Sequence, residues 1–452
     1  MAVATKLDRI VEPLAYSDVP NAENFWRTTH VPAPVPRLER PDTCDVAVIG
    51  AGYTGLSAAL RLAERGIDAA VLDAHGPGWG ASGRNGGFCC LGGAALGEAK
   101  MIRRYGAQAA REHFALELRA IETVAGVLDT HGIDADRHSD GEVLLAHAPS
   151  SAAALATQAE WLRAQYGVAA TVLPRDALAQ HGMKSPEFHG ALHVPLGFAL
   201  NPLKYASGLA DAARRAGARL FGQSPVLRIG REGGKHRLDT PGGPLLADRV
   251  IVATNGYSSE NLPRWLKGRY LPKQSNILVT RPLTEDELLA QGWTSRRMCY
   301  DTRRHLHYFR LMPDNRVLFG VRGRVRVRQA AWDATRSTAR ADFERIFPAW
   351  RHVETPHFWQ GLLCVSAKLT PYVGPIPGLA GGYAALAYHG NGMAMASLSG
   401  RLVADLATGH GRVPDVLAAP LARFPLGRHR RALLWAAAVM HRVQDSVGGL
   451  RS

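Results

Sequence analysis

The sequence predicts an α/β fold: a parallel-sheet domain built from separated stretches of chain, with an antiparallel-sheet (α+β) domain inserted between them. Three observations carry this. Residues 45–73 read strand, Gly-rich turn, helix, strand, which is one βαβ unit. Far along the chain a second buried run, Arg249 to Thr254, and a Gly-opened helix, Met393 to Leu406, return to the same kind of layer. Between them, 273–330 is rich in strands, with turns at Pro313-Asp314-Asn315 and at Gly323.

Taken in order, residues 1–41 hold Pro32, Pro34, Pro36 and Pro41 and read as an extended N-terminal arm. Asp45-Val-Ala-Val-Ile-Gly50 is a short apolar, β-branched run, hence a buried strand. Tyr53 to Arg65 has helical periodicity and stops at Gly66, and Ile67 to Leu72 is a second strand ending in Asp73. Phe114, Leu118, Ile121, Ala125 and Leu128 mark the buried face of a longer helix. A helix is expected over 151–166 and another from Pro202 to Gly217, opened by Asn201-Pro202. Val226 to Ile229, His236 to Thr240 and Arg249 to Thr254 read as strands. The boundaries that follow are 42–137, 189–272 and 359–420 for a discontinuous Rossmann-like cofactor domain. The substrate domain takes 138–188 and 273–358, and a basic C-terminal tail takes 421–452.

Hydrophobic residues form 46% of the 452 and charged residues 21%, the balance of an ordinary globular protein. The first ten residues mix charge into what a signal peptide keeps apolar, and the run Ala432 to Met440 is far too short to span a bilayer. The five cysteines (Cys44, Cys89, Cys90, Cys299, Cys364) form no C-x-x-C pair, so a cytoplasmic setting is expected. The net charge of +15 is spread along the chain instead of gathered in one block, which argues against nucleic acid as a partner.

Gly50-Ala-Gly52-Tyr-Thr-Gly55 is G-x-G-x-x-G in its required context, after a strand and opening a helix. Gly50 allows the tight turn, Gly52 lets a pyrophosphate approach the backbone, and Gly55 lets the helix pack on the strand. The N–H groups at Tyr53 and Thr54 lie at the helix N-terminus, where phosphates bind. Asp73, followed by Ala74, comes 18 residues after Gly55, where a carboxylate bonds ribose hydroxyls. The loop Gly80-Ala81-Ser82-Gly83-Arg84-Asn85-Gly86-Gly87 offers main-chain and side-chain donors at close range, which suits a flavin and its phosphates. Late in the chain, Gly390-Asn391-Gly392-Met393 opens the Ala/Ser-rich helix and makes another N-terminal dipole site.

The fingerprint followed by Gly-Ala-Ser-Gly-Arg-Asn-Gly-Gly resembles the D-amino-acid-oxidase-like FAD oxidoreductases, in the branch with γ-glutamylputrescine oxidase and the glycine- and sarcosine-oxidase-like enzymes. Gly190 to Pro202, Ser224-Pro-Val226-Leu-Arg-Ile, Val252-Ala253-Thr254-Asn255-Gly256-Tyr257 and Tyr388-His389-Gly390-Asn391-Gly392-Met393-Ala394 are similar to later segments of that family. The resemblance implies FAD, with Val226 at the adenine side, Ala253 and Thr254 on a second cofactor-side strand, and the 390–393 turn facing the flavin pyrimidine. It also implies oxidation of a small-molecule amine: a neutral amine loses its α-hydrogen as hydride to flavin N5, and the imine is hydrolysed. Oxygen or an electron carrier would be the acceptor.

Departures from the family pattern qualify the resemblance. Ser366-Ala-Lys368 stands where relatives carry Thr-x-Asp, and Gly361-Leu-Leu-Cys-Val-Ser-Ala lacks the Arg with which amino-acid-oxidising relatives fork a carboxylate. The expected substrate is therefore an amine more than a free α-amino acid. Cys364 lies past the position of the covalently linked Cys of sarcosine-oxidase-like relatives, so a non-covalent flavin is expected. Leu318 replaces an oxygen-activating Lys, which leaves open a dehydrogenase that passes electrons to a carrier; a basic flavoprotein acting on RNA is the further alternative.

Candidates for the substrate pocket are His389, Tyr308 and Arg310. Strand alternation sets His305, His307 and Phe309 on one face and Tyr308 and Arg310 on the other. Arg322, Arg324, Arg326 and Arg328 alternate with Val or Gly as a strand with one wet, positive face would, and an anion-binding role is open. The histidines show no H-x-x-x-H or H-E-x-x-H pairing, so no metal is expected. In the tail, Leu433, Ala436 and Met440, with Trp435, Val439 and Val443 beside them, form an apolar stripe after Arg428, His429, Arg430 and Arg431. Docking of this helix on the protein's own surface is favoured over contact with an anionic membrane.

Overall fold

Asp42–Ile49 is the axis of the molecule, because Val46, Ala47 and Val48 are fully buried and strands of this kind need cover on both faces. It pairs in parallel with Ala69–Leu72 on one side and Gly243–Val252 on the other. The computed structural model, which describes residues 7–436, extends this sheet to eight strands. Arg219–Phe221 closes one edge, Gly382–Leu386 and Tyr372–Pro375 close the other, and the hairpin Arg228–Glu232 with Lys235–Thr240 pairs onto Gly243–Val252.

Two helices cross on one face of this sheet. Tyr53–Ala63 follows the Gly-rich turn, and Gly392–Ala407 lies against it so closely that a Cβ on Gly400 would stand 2.3 Å from the Thr54 carbonyl oxygen. That crossing sets the start of Tyr53–Ala63 against the middle of Gly392–Ala407, and the Thr54 and Tyr388 hydroxyls hydrogen-bond at 2.8 Å. Pro202–Arg215 begins where the Asn201 side chain accepts from the N–H groups of Leu203 and Lys204.

The second sheet also has eight strands, in the order His357–Ser366, Tyr270–Val279, Val317–Arg322, Tyr308–Leu311, Met298–Asp301, Glu142–Leu145, Gly190–Val194, Thr171–Pro174. All its pairings are antiparallel except Glu142–Leu145 with Met298–Asp301. One face packs Phe309 and Phe319 against Phe343 of the helix Gln329–Ile346 and against Phe347 and Trp350, which follow it. The other face turns toward the first sheet.

Four sequence expectations are corrected. Gly190–Val194 and residues 359–366 of the strand His357–Ser366, read within the cofactor domain, belong to the second sheet, since these strands pair with Glu142–Leu145 and along all ten residues of Tyr270–Val279. The Arg-rich segment 322–328 is not a strand: Val317–Arg322 ends there, because the Gln274 side chain takes the Arg324 and Arg326 carbonyls and Glu12 takes the Val327 N–H. His305 precedes the strand Tyr308–Leu311 and does not share its face. The N-terminal arm carries short helical turns at Pro13–Tyr16, Val19–Asn21 and Trp26–Thr29, and it packs against the core.

The tail turns back onto the protein. Arg430 is buried, donates to the Tyr270 carbonyl and pairs with Glu260 at 2.5 Å, and Arg431 pairs with Glu12 at 2.8 Å. Trp435, on the helical stretch 431–436, is 64% exposed, while Val439, Met440 and Val443 lie outside the described residues. Among the described residues no helix is long and apolar enough to cross a membrane, and no group of three or more His, Cys, Asp or Glu could hold a metal.

Candidate active site

A cavity of about 380 Å³ lies between the two sheets, reaching from the Gly-rich turn to the strands of the second sheet. Gly50 is left-handed at φ +106°, and a Cβ there would meet the Ala253 carbonyl oxygen at 2.9 Å. A Cβ on Gly55 would fall 1.8 Å from the Gly50 oxygen, so this glycine does not line the cavity and serves the packing of helix on turn. Gly52 caps the helix, with Tyr53 and Thr54 behind it on the cavity wall. Asp73 closes the turn by accepting from the Ala51 N–H at 2.7 Å and the His75 N–H at 2.8 Å. Burial lifts its carboxyl above the usual range against those two bonds. Ala74, Val226, Ala253 and Thr254 line the same end.

The second Gly-rich loop is pinned to the first. The Ser82 hydroxyl accepts from the Tyr53 N–H at 2.9 Å, the Tyr53 hydroxyl donates to the Ser82 carbonyl at 2.6 Å, and Asn85 donates to Tyr53, Ala81 and Ser82. Arg84 is 2% exposed and stacks over Trp79 at 4.1 Å, with Nε donating to the Trp79 carbonyl. Its Nη2 has no hydrogen-bond partner, and burial lowers its pKa. A buried guanidinium with a free donor on the wall of a cavity is suited to an anionic oxygen. Gly80, Ala81 and Gly86 complete this wall.

At the other end, His389 sits at φ +55°, and its ring is held by main chain on both sides. Nδ1 lies 3.0 Å from the Gly93 carbonyl, and Nε2 accepts the Ser366 N–H at 3.2 Å. This network assigns the Nδ1–H tautomer. Burial holds the ring down to about 4, so it is neutral and has no nitrogen free to act as a base. Of the predicted pocket residues, His389 therefore shapes the turn Gly390-Asn391-Gly392-Met393, which lines the cavity at the N-terminus of Gly392–Ala407.

Strand register explains the cavity's remaining wall. Tyr300 lies opposite Tyr308, Tyr308 opposite Gly320, and Arg322 opposite Ser275, which is opposite Gly361. These share the face toward the first sheet, and all but Gly320 line the cavity. The Tyr308 hydroxyl bonds to Ser275 Oγ at 3.0 Å, its ring lies where a Cβ on Gly86 would come within 2.8 Å, and burial raises its pKa.

Arg310 is on the same face but is not in the pocket. It is 1% exposed and spends its donors on the Gly86 and Leu200 carbonyls and on His138. Gly87, left-handed and packed on the Leu200 carbonyl, is likewise behind the wall. Of the four alternating arginines, Arg322 alone turns inward, with a guanidinium nitrogen 3.2 Å from where a Cβ on Gly390 would stand; Arg324, Arg326 and Arg328 are exposed. Among the described residues no carboxylate pairs with Arg322.

Sequence reasoning missed Glu142, Ser275 and Tyr300, together with Arg9 and Tyr16 of the N-terminal segment, all of which line the cavity. An acidic residue opening an apolar strand at Gly141-Glu-Val-Leu-Leu was the one local signal for Glu142.

The model of the DAO family, FAD dependent oxidoreductases, matches residues 45–406, which takes in every cavity-lining segment except the N-terminal one. The chain belongs to the DAO family of FAD-dependent oxidoreductases. It is 32% identical to γ-glutamylputrescine oxidoreductase of Escherichia coli strain K12, over 92% of this chain and 96% of that one. The glycine oxidase of Geobacillus kaustophilus strain HTA426 is 25% identical over 85% of this chain and 97% of its own length. The crystal structure of glycine oxidase from Geobacillus kaustophilus superposes with a TM-score of 0.68 at 22% identity, covering 85% of this chain and 99% of that chain. L-proline dehydrogenase from P. horikoshii gives 0.67 at 20% identity, covering 83% and 96%.

The residues present fit FAD. The cradle at Gly50 and Gly52 has no room for side chains, the Arg84 donor is unspent, and Asp73 stands at the end of the second strand where ribose is bonded. Cys364 also lines this DAO-family cavity, 1% exposed, and burial pushes its thiol up to about 12. A thiol so protonated is a poor nucleophile toward the flavin. Acid precipitation is therefore expected to leave the yellow colour in the supernatant; colour that stays with the pellet would show a covalent link.

Proposed function

We propose that this DAO-family protein oxidises the C–N bond of an amine to an imine that water then hydrolyses. FAD bound in the cavity supplies the acceptor for the hydride that leaves the carbon beside nitrogen. The observation that supports this reading most is the cavity wall itself. Tyr300, Tyr308, Leu362 and Leu363 make it largely aromatic and aliphatic at this end, and His389 has both ring nitrogens committed to main chain. Such surroundings disfavour the charged form of an amine, and hydride loss needs the neutral form. Ser275 fixes the Tyr308 hydroxyl as the polar contact that orients the substrate, and the N-terminus of Gly392–Ala407 supports negative charge at that end.

Leu362 and Leu363 supply no fork for an α-carboxylate, and Arg322 approaches from a different strand beside Gly390. The relative named for γ-glutamylputrescine supports an amine substrate. Under anaerobic mixing, primary or secondary amines are expected to bleach the oxidised flavin faster than glycine or D-alanine. Faster bleaching by either amino acid than by every amine tested would overturn the proposal.

A further inference from the structure

Glu142 stands at the far side of the cavity wall from Arg322. It opens the strand Glu142–Leu145, lies opposite Met298 across a parallel pair, and so shares the face of Tyr300 and Tyr308. Three strand spacings separate its strand from that of Arg322, about 14 Å across the sheet. The carboxyl is 4% exposed and lines the cavity beside the Cys90 thiol and the Tyr300 hydroxyl. Among the described residues no Lys, Arg or His pairs with it. The charged group nearest behind it is Glu117, itself engaged by His113 at 3.3 Å and by the Tyr166 hydroxyl at 2.6 Å.

A buried carboxyl that meets only a thiol, a phenol and another acid is short of a cation. Burial lifts it to about 7, with Cys90 and Tyr300 opposing that rise and Glu117 adding to it. A cation arriving from the cavity would relieve this. The approach passes the rings of Tyr300, Tyr308 and Phe88, which suit a methylene chain carrying positive charge.

The reacting nitrogen is not that cation. Hydride leaves a neutral amine, and an ion pair with a carboxylate would hold the nitrogen protonated and its lone pair occupied. Resting on the amine-oxidation reading, we propose that Glu142 binds a second, cationic nitrogen of the substrate, so that the enzyme selects chains derived from diamines over simple alkylamines.

The test compares putrescine with 1-aminobutane, which have the same four carbons and differ in the second nitrogen, on full-length FAD-loaded enzyme under anaerobic conditions. The ratio of their reduction efficiencies is expected to favour putrescine by at least about tenfold, the size of one charge-assisted hydrogen bond, and to fall within about twofold in Glu142→Gln. In the unaltered enzyme that ratio rises as pH is raised through about 7, because the carboxyl gains its charge there while the reacting amines' own titration cancels. This second measurement needs no variant and decides the matter should Glu142→Gln fail to hold flavin. Equal efficiencies, a ratio unchanged in the variant, or a ratio flat with pH would overturn the assignment. Should neither these nor any other amine tested bleach the flavin, amine oxidation is what has failed. Dissociation constants from the perturbed flavin spectrum then make the same comparison, and equal values overturn the role of Glu142.

Discussion

Gly52→Val will purify as folded protein nearly free of FAD. A Cβ at this position already stands 3.0 Å from Ser82 Oγ, and the two further carbons of Val project at the start of Tyr53–Ala63. There the positive end of the helix would face the cofactor's phosphates. Ser82 cannot retreat freely, because its hydroxyl holds the Tyr53 N–H and its carbonyl holds the Tyr53 hydroxyl. Overpacking of this kind costs about 1–3 kcal/mol, which is roughly 5- to 150-fold in affinity before the lost phosphate contacts are counted. The visible flavin absorbance per protein measures it, with circular dichroism to show that the fold survives. Flavin occupancy equal to the parent's would mean that the pyrophosphate lies elsewhere. Gly55→Ala makes the contrasting case: its Cβ strikes the Gly50 carbonyl oxygen at 1.8 Å, so it should damage folding before it reports on FAD.

The fingerprint was legible because its geometry is local. Gly50 needs its φ of +106° and Gly55 its missing Cβ for reasons contained within six residues, so a short string announces both. The cavity wall on the second sheet is the opposite case. Tyr300, Tyr308, Arg322 and Ser275 become neighbours through antiparallel register between strands far apart in sequence, and no local pattern carries that register. Tyr308 and Arg310 show how little alternation alone decides. Both are on the inward face, yet Tyr308 reaches the cavity over Gly86, while Arg310, one pleat further, is absorbed by the Gly86 and Leu200 carbonyls. The Arg-rich segment misled for a related reason: an alternating pattern predicts a strand only if a partner takes its main chain, and here Gln274 and Glu12 do so with side chains.

Asp301→Asn will cost the protein about 3–5 kcal/mol, the usual penalty for stranding one member of a buried ion pair. Asp301 has a fully buried side chain and accepts from His307 Nδ1 at 2.7 Å and from the His307 N–H at 3.0 Å, while Arg303 pairs with it at 2.7 Å. Asp342, on Gln329–Ile346, holds the other ring nitrogen at 3.2 Å. Burial alone would lower the imidazole, but Asp301 and Asp342 outweigh it and raise His307 to about 9 from the ordinary 6.5. Burial would likewise raise Asp301, but His307 and Arg303 hold it below its usual range.

The signs then follow. The raised His307 contributes stability fully below pH 6.5 and loses it as pH climbs through about 9, a change of order 3 kcal/mol. The depressed Asp301 contributes above its ordinary value of 3.8 and loses that as pH falls. The pair is thus strongest between these limits, and denaturant unfolding of the parent should show stability declining from pH 6.5 to 9. In Asp301→Asn that decline should flatten, since only Asp342, with its side chain 26% exposed, still favours the charged ring. The loop so anchored leads directly into Tyr308, so the variant should also weaken substrate binding more than it slows flavin reduction. An unchanged slope of stability with pH would show that His307 is neutral in the folded protein and that hydrogen bonds without charge hold this loop.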